Sequence, residues 1–290
     1  MEKSTYNVVE YEKNKKIKQE NWEMAIGLNE VDGLKPSKYL KELINDSLEG
    51  KTTYSEIETK LHNYYKLQDI TKQEIKDNKE CDIVSTRIAE ILEDGSFTFS
   101  PIYLKSIHRR LFENIFEGEL EGWAGKFREI NITKKEPILD GDTVTYANHF
   151  DILDYLKYDF EEEKSKDYTK LSQEQQVQRI AKFTSAIWQT HPFREGNTRT
   201  TAVFIEKYLR TKGYDVNNEL FKENSIYFRN ALVLSNYTNI SKGINSNYEY
   251  LYSFFKKLLI DREIKLEKMN VSQKKKVIRK SKDKEEDLEL

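Results

Sequence analysis

Apolar side chains recur at three- and four-residue spacing along most of this chain, and few Gly or Pro interrupt them, so the pattern predicts a mostly helical fold. Residues 21–26 read as a short helix stopped at Gly27, and 31–37 as a turn. Ser37 caps a helix running through Leu48 and ending at Glu49-Gly50, and an amphipathic helix follows over 53–66. The stripe Ile83, Ile88, Ile91 and Leu92 ends at Asp94-Gly95, and Ser100-Pro101 opens a helix carrying Leu104, Ile107, Leu111 and Ile115. A glycine-rich link over 118–125 leads to the one segment with a different period. There Ile130, Ile132, Ile138, Val144 and Tyr146 flank Asp140-Gly141, which predicts a β-hairpin over 131–146. Helices resume over 147–163. Ser172 and Gln175 form a capping box for a helix to Thr190. Further helices reach about Arg210 and span 223–235 and 247–268. The tail from Ser272 is charged and poor in bulky apolar residues, so it reads as mobile.

Composition narrows the function classes. The 48 basic and 50 acidic side chains nearly cancel, so no basic excess points to direct binding of nucleic acid. No apolar run approaches a membrane span and no apolar signal core opens the chain. The single Cys81 excludes an internal disulfide framework and a cysteine zinc site and fits a reducing compartment. These features predict a soluble, cytoplasmic protein without a membrane partner, although an unconventional export signal would leave no such trace.

The chemistry concentrates in His191-Pro192-Phe193-Arg194-Glu195-Gly196-Asn197-Thr198-Arg199, a tight loop between two apolar helices that opens onto the second. A helix start offers free N–H groups and the positive end of its dipole, a natural phosphate site. Imidazole is the side chain best suited to remove a proton near neutrality. A base, a carboxylate that binds metal and a phosphate cradle together suit phosphoryl or nucleotidyl transfer. Each residue also has a plainer reading. His191 alone would be a core or surface residue, Glu195 a solvated charge, Asn197 and Thr198 helix caps, and Arg199 a surface arginine. Phe193 pins the loop to the core, and Gly196 lets the backbone approach a phosphate. His62, His108 and His149 lack such a context and read as structural.

The run resembles the active-site motif of Fic-domain proteins, H-x-F-x-[D/E]-G-N-x-R. Gly125-Lys126-Phe127-Arg128 resembles that family's G-x-x-R segment, and the hairpin stands where the family has its flap. The resemblance implies an all-α Fic-fold bundle with one small hairpin. It implies a protein adenylyltransferase that moves AMP from ATP to a Ser, Thr or Tyr hydroxyl of a target protein, with possible self-modification. His191 would be the base. Glu195 would hold Mg²⁺ or Mn²⁺, and Gly196, Asn197, Thr198 and Arg199 would hold phosphates. Thr143, Val144, Thr145 and Tyr146 would dock the target along the flap. Tyr227 and Asn236 match the helix beside the nucleobase, with a core aromatic as the alternative for Tyr227. Residues 1–68 resemble the small antitoxin domain that partners some Fic toxins, before a Fic domain over 69–265 and a charged segment over 266–290.

Two departures stand out. Many such motifs carry a second arginine where this chain has Ala202, which opens the identity of the donor to phosphate or UMP transfer. That arginine commonly pairs with a glutamate of an inhibitory helix. Here Leu28 and Asp32-Gly33 stand at the expected serine and glutamate positions, with Thr86 and Glu90 as a poorer match. A short carboxylate facing an alanine predicts almost no clamp. The rival of another class is a non-catalytic interaction protein. Intact His191, Glu195, Asn197 and Arg199 argue against it.

Overall fold

The computed structural model describes residues 6–69 and 71–271, and the tail from Ser272 lies outside the described residues. Among the described residues ten α-helices carry the fold: α1 (Tyr6–Glu30), α2 (Lys38–Leu48), α3 (Tyr54–Lys66), α4 (Gln73–Glu93), α5 (Pro101–Phe112), α6 (Ile152–Lys164), α7 (Gln173–Thr190), α8 (Asn197–Thr211), α9 (Glu219–Asn236) and α10 (Glu249–Leu259). Their starts follow local chemistry. Ser37 and Ser100 accept from the N–H groups of Leu40 and Tyr103, and Thr53–Glu56 and Ser172–Gln175 close capping boxes.

One continuous apolar core joins the helices. Trp22, Met24 and Leu28 of α1 belong to the same cluster as Ile88 of α4, Phe204 of α8 and Phe228 of α9. Helix α8 is buried over almost its whole length, from Asn197 to Leu209, so its first turn is held rigidly at the centre of the molecule. Two polar networks fix the N-terminal helices to this body. Asp82 of α4 accepts from Ser37 N–H, Ser37 Oγ and Tyr65 Oη at 2.9, 2.6 and 2.6 Å, tying in α2 and α3. Asn21 of α1 accepts from Arg210 and Asn218, both at 3.1 Å.

Several elements depart from the sequence reading. Gly27 does not stop a helix: α1 runs through it, because a Cβ there would stand 2.4 Å from the Cα of Lys222, so glycine permits close packing of α1 on α9. The segment 131–146 is not a β-hairpin. Among the described residues no strand forms. A turn at Asp140-Gly141 is closed by Glu136 N–H to the Asp142 carbonyl at 2.9 Å. Pro137 opens a 3₁₀ turn inside it, and beyond it the ladder fails, because the Lys134 N–H goes to Thr143 Oγ1 instead of a backbone carbonyl. The helix expected over 147–163 begins only at Ile152, after a 3₁₀ turn capped by Asn148. Helix α9 starts at Glu219 and kinks at Asn224, so the expected start marks its kink. Helix α10 ends at Leu259 instead of near 268, where Lys257 Nζ donates to the Arg262 and Ile264 carbonyls and turns the chain. Leu266, Met269 and Val271 then pack against the core.

Gly27→Ala sets two effects in opposition. Helix propensity favours alanine by about 1 kcal/mol, whereas overpacking typically costs about 1–3 kcal/mol. The obstruction is backbone, so overpacking should win and urea denaturation should show a lower midpoint. A stabilised variant would mean that α1 and α9 are not in such close contact.

Candidate active site

The loop between α7 and α8 is built by side chains from distant elements. His191 ends α7 in the left-handed conformation, at φ 47°. Arg128 closes the carboxyl end of that helix. Its guanidinium donates to the carbonyls of His191, Ile130 and Thr190 at 2.8, 2.7 and 3.4 Å and also to that of Ala147, and its own N–H reaches the Pro192 carbonyl at 2.8 Å. A buried cation among carbonyls at a helix C-terminus is favoured by the helix dipole. His108 of α5 secures the other side. Its Nδ1 accepts from Gly125 N–H at 2.8 Å, so its Nε2 carries the proton and donates to the Glu195 carbonyl at 3.0 Å. The ring stacks on Phe193 at 3.8 Å. His108, read from sequence as merely structural, thus positions the motif loop; nothing local in the sequence reveals a partner 87 positions away.

Within the loop, the Asn197 amide accepts from Phe193 N–H and donates to the Phe193 carbonyl at 2.9 and 2.8 Å, so its side chain closes the turn. Thr198 Oγ1 accepts from the Trp188 indole at 3.0 Å. Gly196 has φ +77°, and a Cβ there would lie 2.3 Å from the Phe112 ring, so close packing against the core is enough to demand glycine. The Glu195 carboxylate turns back to accept from Gly196 N–H at 2.9 Å.

His191 Nδ1 lies 3.1 Å from the Trp188 carbonyl. A carbonyl only accepts, so Nδ1 carries the proton and Nε2 keeps a bare lone pair. Tyr146 stacks on the ring at 3.9 Å and Trp188 meets it edge-on at 5.1 Å. Burial lowers the imidazole pKa to about 3, so the ring is neutral throughout the neutral range.

His191, Glu195, Gly196 and Asn197 line one small cavity, opposite Lys134, Glu136 and Arg229, with room for water centres of only about 10 Å³. That is space for about one water. The charged residues across from the motif were not found from sequence, since they come from an irregular loop and from α9. Tyr227 packs against Tyr250 and Phe254 and leaves its hydroxyl unpartnered, and Asn236 donates to the Leu232 and Ser185 carbonyls at 2.9 and 3.4 Å. Along the flap Val144 is buried, Thr143 Oγ1 donates to the Val144 carbonyl, and the Thr145 carbonyl accepts from Gln189.

The carboxylate–arginine attraction expected to be almost absent at Asp32 is present, but with Arg199 and not at position 202. Asp32 lies 3.2 Å from Arg199 Nε, and Glu80 of α4 lies 2.8 Å from Arg199 Nη1, which also donates to Asn29 at 3.0 Å. Arg199 stands one helical turn before Ala202 on the same face, so its guanidinium takes up the carboxylate that position 202 does not bind. The α4 carboxylate in use is Glu80, not Glu90. Burial opposes the charge of Arg199, yet Asp32 and Glu80 outweigh it and hold its pKa above the ordinary arginine value.

A family model described as the Fic/DOC family matches residues 98–209. The chain is 30% identical over 155 residues to "Probable protein adenylyltransferase y4lH" of Sinorhizobium fredii, an alignment spanning 49% of this chain and 70% of that protein. It is 26% identical over 157 residues to "Protein adenylyltransferase VbhT" of Bartonella schoenbuchensis, spanning 54% of this chain but only 30% of that longer protein. Among solved structures, the N-terminal FIC domain of Bep8 protein from Bartonella sp. 1-1C is 25% identical with a TM-score of 0.48, over 65% of this chain and 88% of that one.

The depressed pKa of His191 makes a stability prediction. Below about pH 6.5 the unfolded histidine takes a proton that the folded one refuses, so stability falls as pH drops toward 3. Between pH 7 and 5 the difference amounts to about 2 kcal/mol. His191→Asn, a residue that tolerates the left-handed conformation, should lose about that much less than wild type over this interval in urea denaturation. Equal losses would contradict a buried neutral imidazole.

Proposed function

We propose that this chain, which belongs to the Fic/DOC family, is a protein adenylyltransferase that transfers AMP from ATP to a Ser, Thr or Tyr hydroxyl of a protein target. One observation carries the reading: the bare Nε2 of His191 and the first turn of α8 line the same cavity, so a proton acceptor and a phosphate cradle share one space. In the reaction the target hydroxyl attacks the α-phosphorus of ATP, its proton passes to His191 Nε2, the new bond is oxygen to phosphorus, and pyrophosphate leaves. The Trp188 carbonyl stabilises the imidazolium that results, as the orienting partner of a general base does. The N–H groups of the first turn of α8 meet the negative charge.

Glu195 is the one motif carboxylate in the cavity. Among the described residues no cluster of three metal-ligating side chains forms. A single hard oxygen donor beside phosphates fits Mg²⁺ or Mn²⁺, which take one or two carboxylates plus phosphate oxygens. Such an ion would supply charge neutralisation to the triphosphate. Glu195 must first release Gly196 N–H to take that part. The nucleobase would lie toward α9, near Tyr227, whose buried hydroxyl has no partner, and Asn236, which would have to release the Leu232 and Ser185 carbonyls to meet it. The target docks along 143–146, whose Tyr146 rests directly on the catalytic ring. Residues 1–68 act as a regulatory unit on a catalytic body over 69–265, with self-modification as an accompanying reaction. Among the described residues no helix is long and apolar enough to cross a membrane.

The test is incubation of the full chain with ATP, UTP or GTP, Mg²⁺ and a cell lysate, read by intact mass of the labelled proteins. The expected product carries one added AMP. His191→Asn should reduce its rate by at least about a hundredfold, within the range general-base catalysis contributes. Added phosphate or UMP, or wild-type labelling by the variant, would refute the assignment.

Glu195→Gln should weaken the rate and raise the Mg²⁺ concentration at half-maximal labelling together. An unchanged metal titration would place the ion elsewhere.

A further inference from the structure

Helix α6 carries two faces of different character. Ile152, Leu156 and Phe160 belong to the core. Asp154, Tyr155, Tyr158 and Asp159 recur at three- and four-residue spacing on another side, with Asp151 just before the helix. Tyr155 and Tyr158 stand exposed there, and grouped exposed aromatic rings mark a binding surface more often than scattered ones do. Tyr155, Tyr158 and Asp159 form one wall of an open groove of about 360 Å³. Thr145 and Tyr146 of the flap and Gln189 of α7 form the other. The end of the flap is fastened at this wall. Ala147 N–H donates to the Gln189 carbonyl at 3.4 Å, and the Gln189 amide donates to the Thr145 carbonyl at 3.3 Å.

The charge of this surface has one sign. An adjoining hollow shares both tyrosines and adds Asp151 and Asp154, so the residues lining the two hollows include three carboxylates and no lysine or arginine. Asp159 is the carboxylate inside the groove. It is half-buried, and among the described residues no group donates a hydrogen bond to it. Arg179, the cation that acts on it, is already paired with Glu162 and Glu163 at 2.8 and 2.6 Å. Burial, reinforced by Glu162, pushes the Asp159 carboxyl up to about 6, against the pull of Arg179. A partly desolvated carboxylate without a partner is costly, and a cation from outside the chain would relieve it.

The two rings narrow the choice of cation. A guanidinium lies flat on an aromatic face and offers a fork that fits a carboxylate, whereas an ammonium is a compact, strongly hydrated charge. Tyr146 joins the groove to the site of reaction, because it lines the groove and its ring also stacks on His191 at 3.9 Å. One side chain thus separates groove and base. An extended segment advances about 3.3 Å per residue, so its side chains reach both within about three residues.

We propose that the groove between the flap, α6 and α7 is a specificity subsite for an arginine of the target protein, paired with Asp159 and lying against Tyr155 and Tyr158, within about three residues of the hydroxyl that receives AMP. The proposal rests on the adenylyltransferase reading and on docking along 143–146. It adds the chemistry by which one hydroxyl is chosen over another.

The experiment incubates the full chain with ATP, Mg²⁺ and a cell lysate, and locates the modified hydroxyl of the most heavily labelled protein by peptide mass spectrometry. An arginine should stand within about three residues of it. That protein is then purified, and its labelling is compared for wild type and Asp159→Asn, each with the target intact and with the target's arginine replaced by glutamine. Loss of a charge-assisted hydrogen bond should raise KM about tenfold for either change, with kcat and ATP affinity within about twofold. The two changes together should cost no more than one, since they remove the same contact. Tyr158→Ala, at an exposed position, should raise KM about threefold and keeps the test open if the half-buried Asp159 resists substitution. A modified hydroxyl with no arginine beside it, effects that multiply, or an unchanged KM in the variants would overturn the subsite and leave the adenylyltransferase reading in place. Wild type that adds AMP to no protein would overturn both.

Discussion

The buried charge of Arg199 is the constraint on which the rest of this structure depends. The side chain is 1% exposed, lies over the Phe112 ring at 4.7 Å, and sits in the first turn of the helix that carries the motif. A cation so placed must be paired. Its partners come from two other parts of the chain, Asn29 and Asp32 at the end of α1 and Glu80 on α4. Satisfying one arginine therefore brings the N-terminal helices onto the mouth of the motif loop. Asp32 reaches onward to Lys134 and connects that loop to the flap. The small cavity at His191 follows from these requirements, because Asp32, Lys134, Glu136 and Arg229 line it together with the motif loop.

Much of this was legible in the sequence, for physical reasons. Local hydrogen bonding writes itself into short patterns, so Ser37, Thr53, Ser100 and Ser172 marked helix starts that the fold contains. The spacing of His191, Glu195, Gly196, Asn197 and Arg199 likewise named a family whose model matches residues 98–209. What was not legible depends on neighbours remote in sequence. Gly27 looked like a helix stop because nothing local reveals the backbone of Lys222 beside it. Asp140-Gly141 promised a hairpin, and the turn is there, but a strand ladder depends on both arms, and the Thr143 hydroxyl took the Lys134 N–H from one of them. Ala202 suggested the loss of a clamp because pattern matching compares positions, whereas a guanidinium one turn away reaches the same space.

The same geometry bears on the proposal that a buried histidine serves as the base. Trp188 fixes the protonated nitrogen, Tyr146 and Trp188 hold the ring from two sides, and desolvation keeps it neutral. A ring so desolvated is a weak base while the cavity is shut. Entry of a charged nucleotide and a target hydroxyl would restore polar surroundings and with them the basicity that the reaction needs. Asp32, just beyond α1, links that helix to both the flap and α8.

The most direct test of this account is the ATP affinity of Asp32→Asn, measured by calorimetry on the full chain with Mg²⁺. The substitution keeps the shape of the side chain and removes the charge that competes with phosphate for Arg199 and Lys134, while Glu80 and Asn29 still hold the arginine. If the carboxylate keeps the binding-competent state scarce, affinity should rise by about tenfold or more. Affinity that is unchanged or weaker would show that Asp32 does not compete with nucleotide for Arg199 and Lys134, and the account of how Arg199 is held at the motif loop would be wrong.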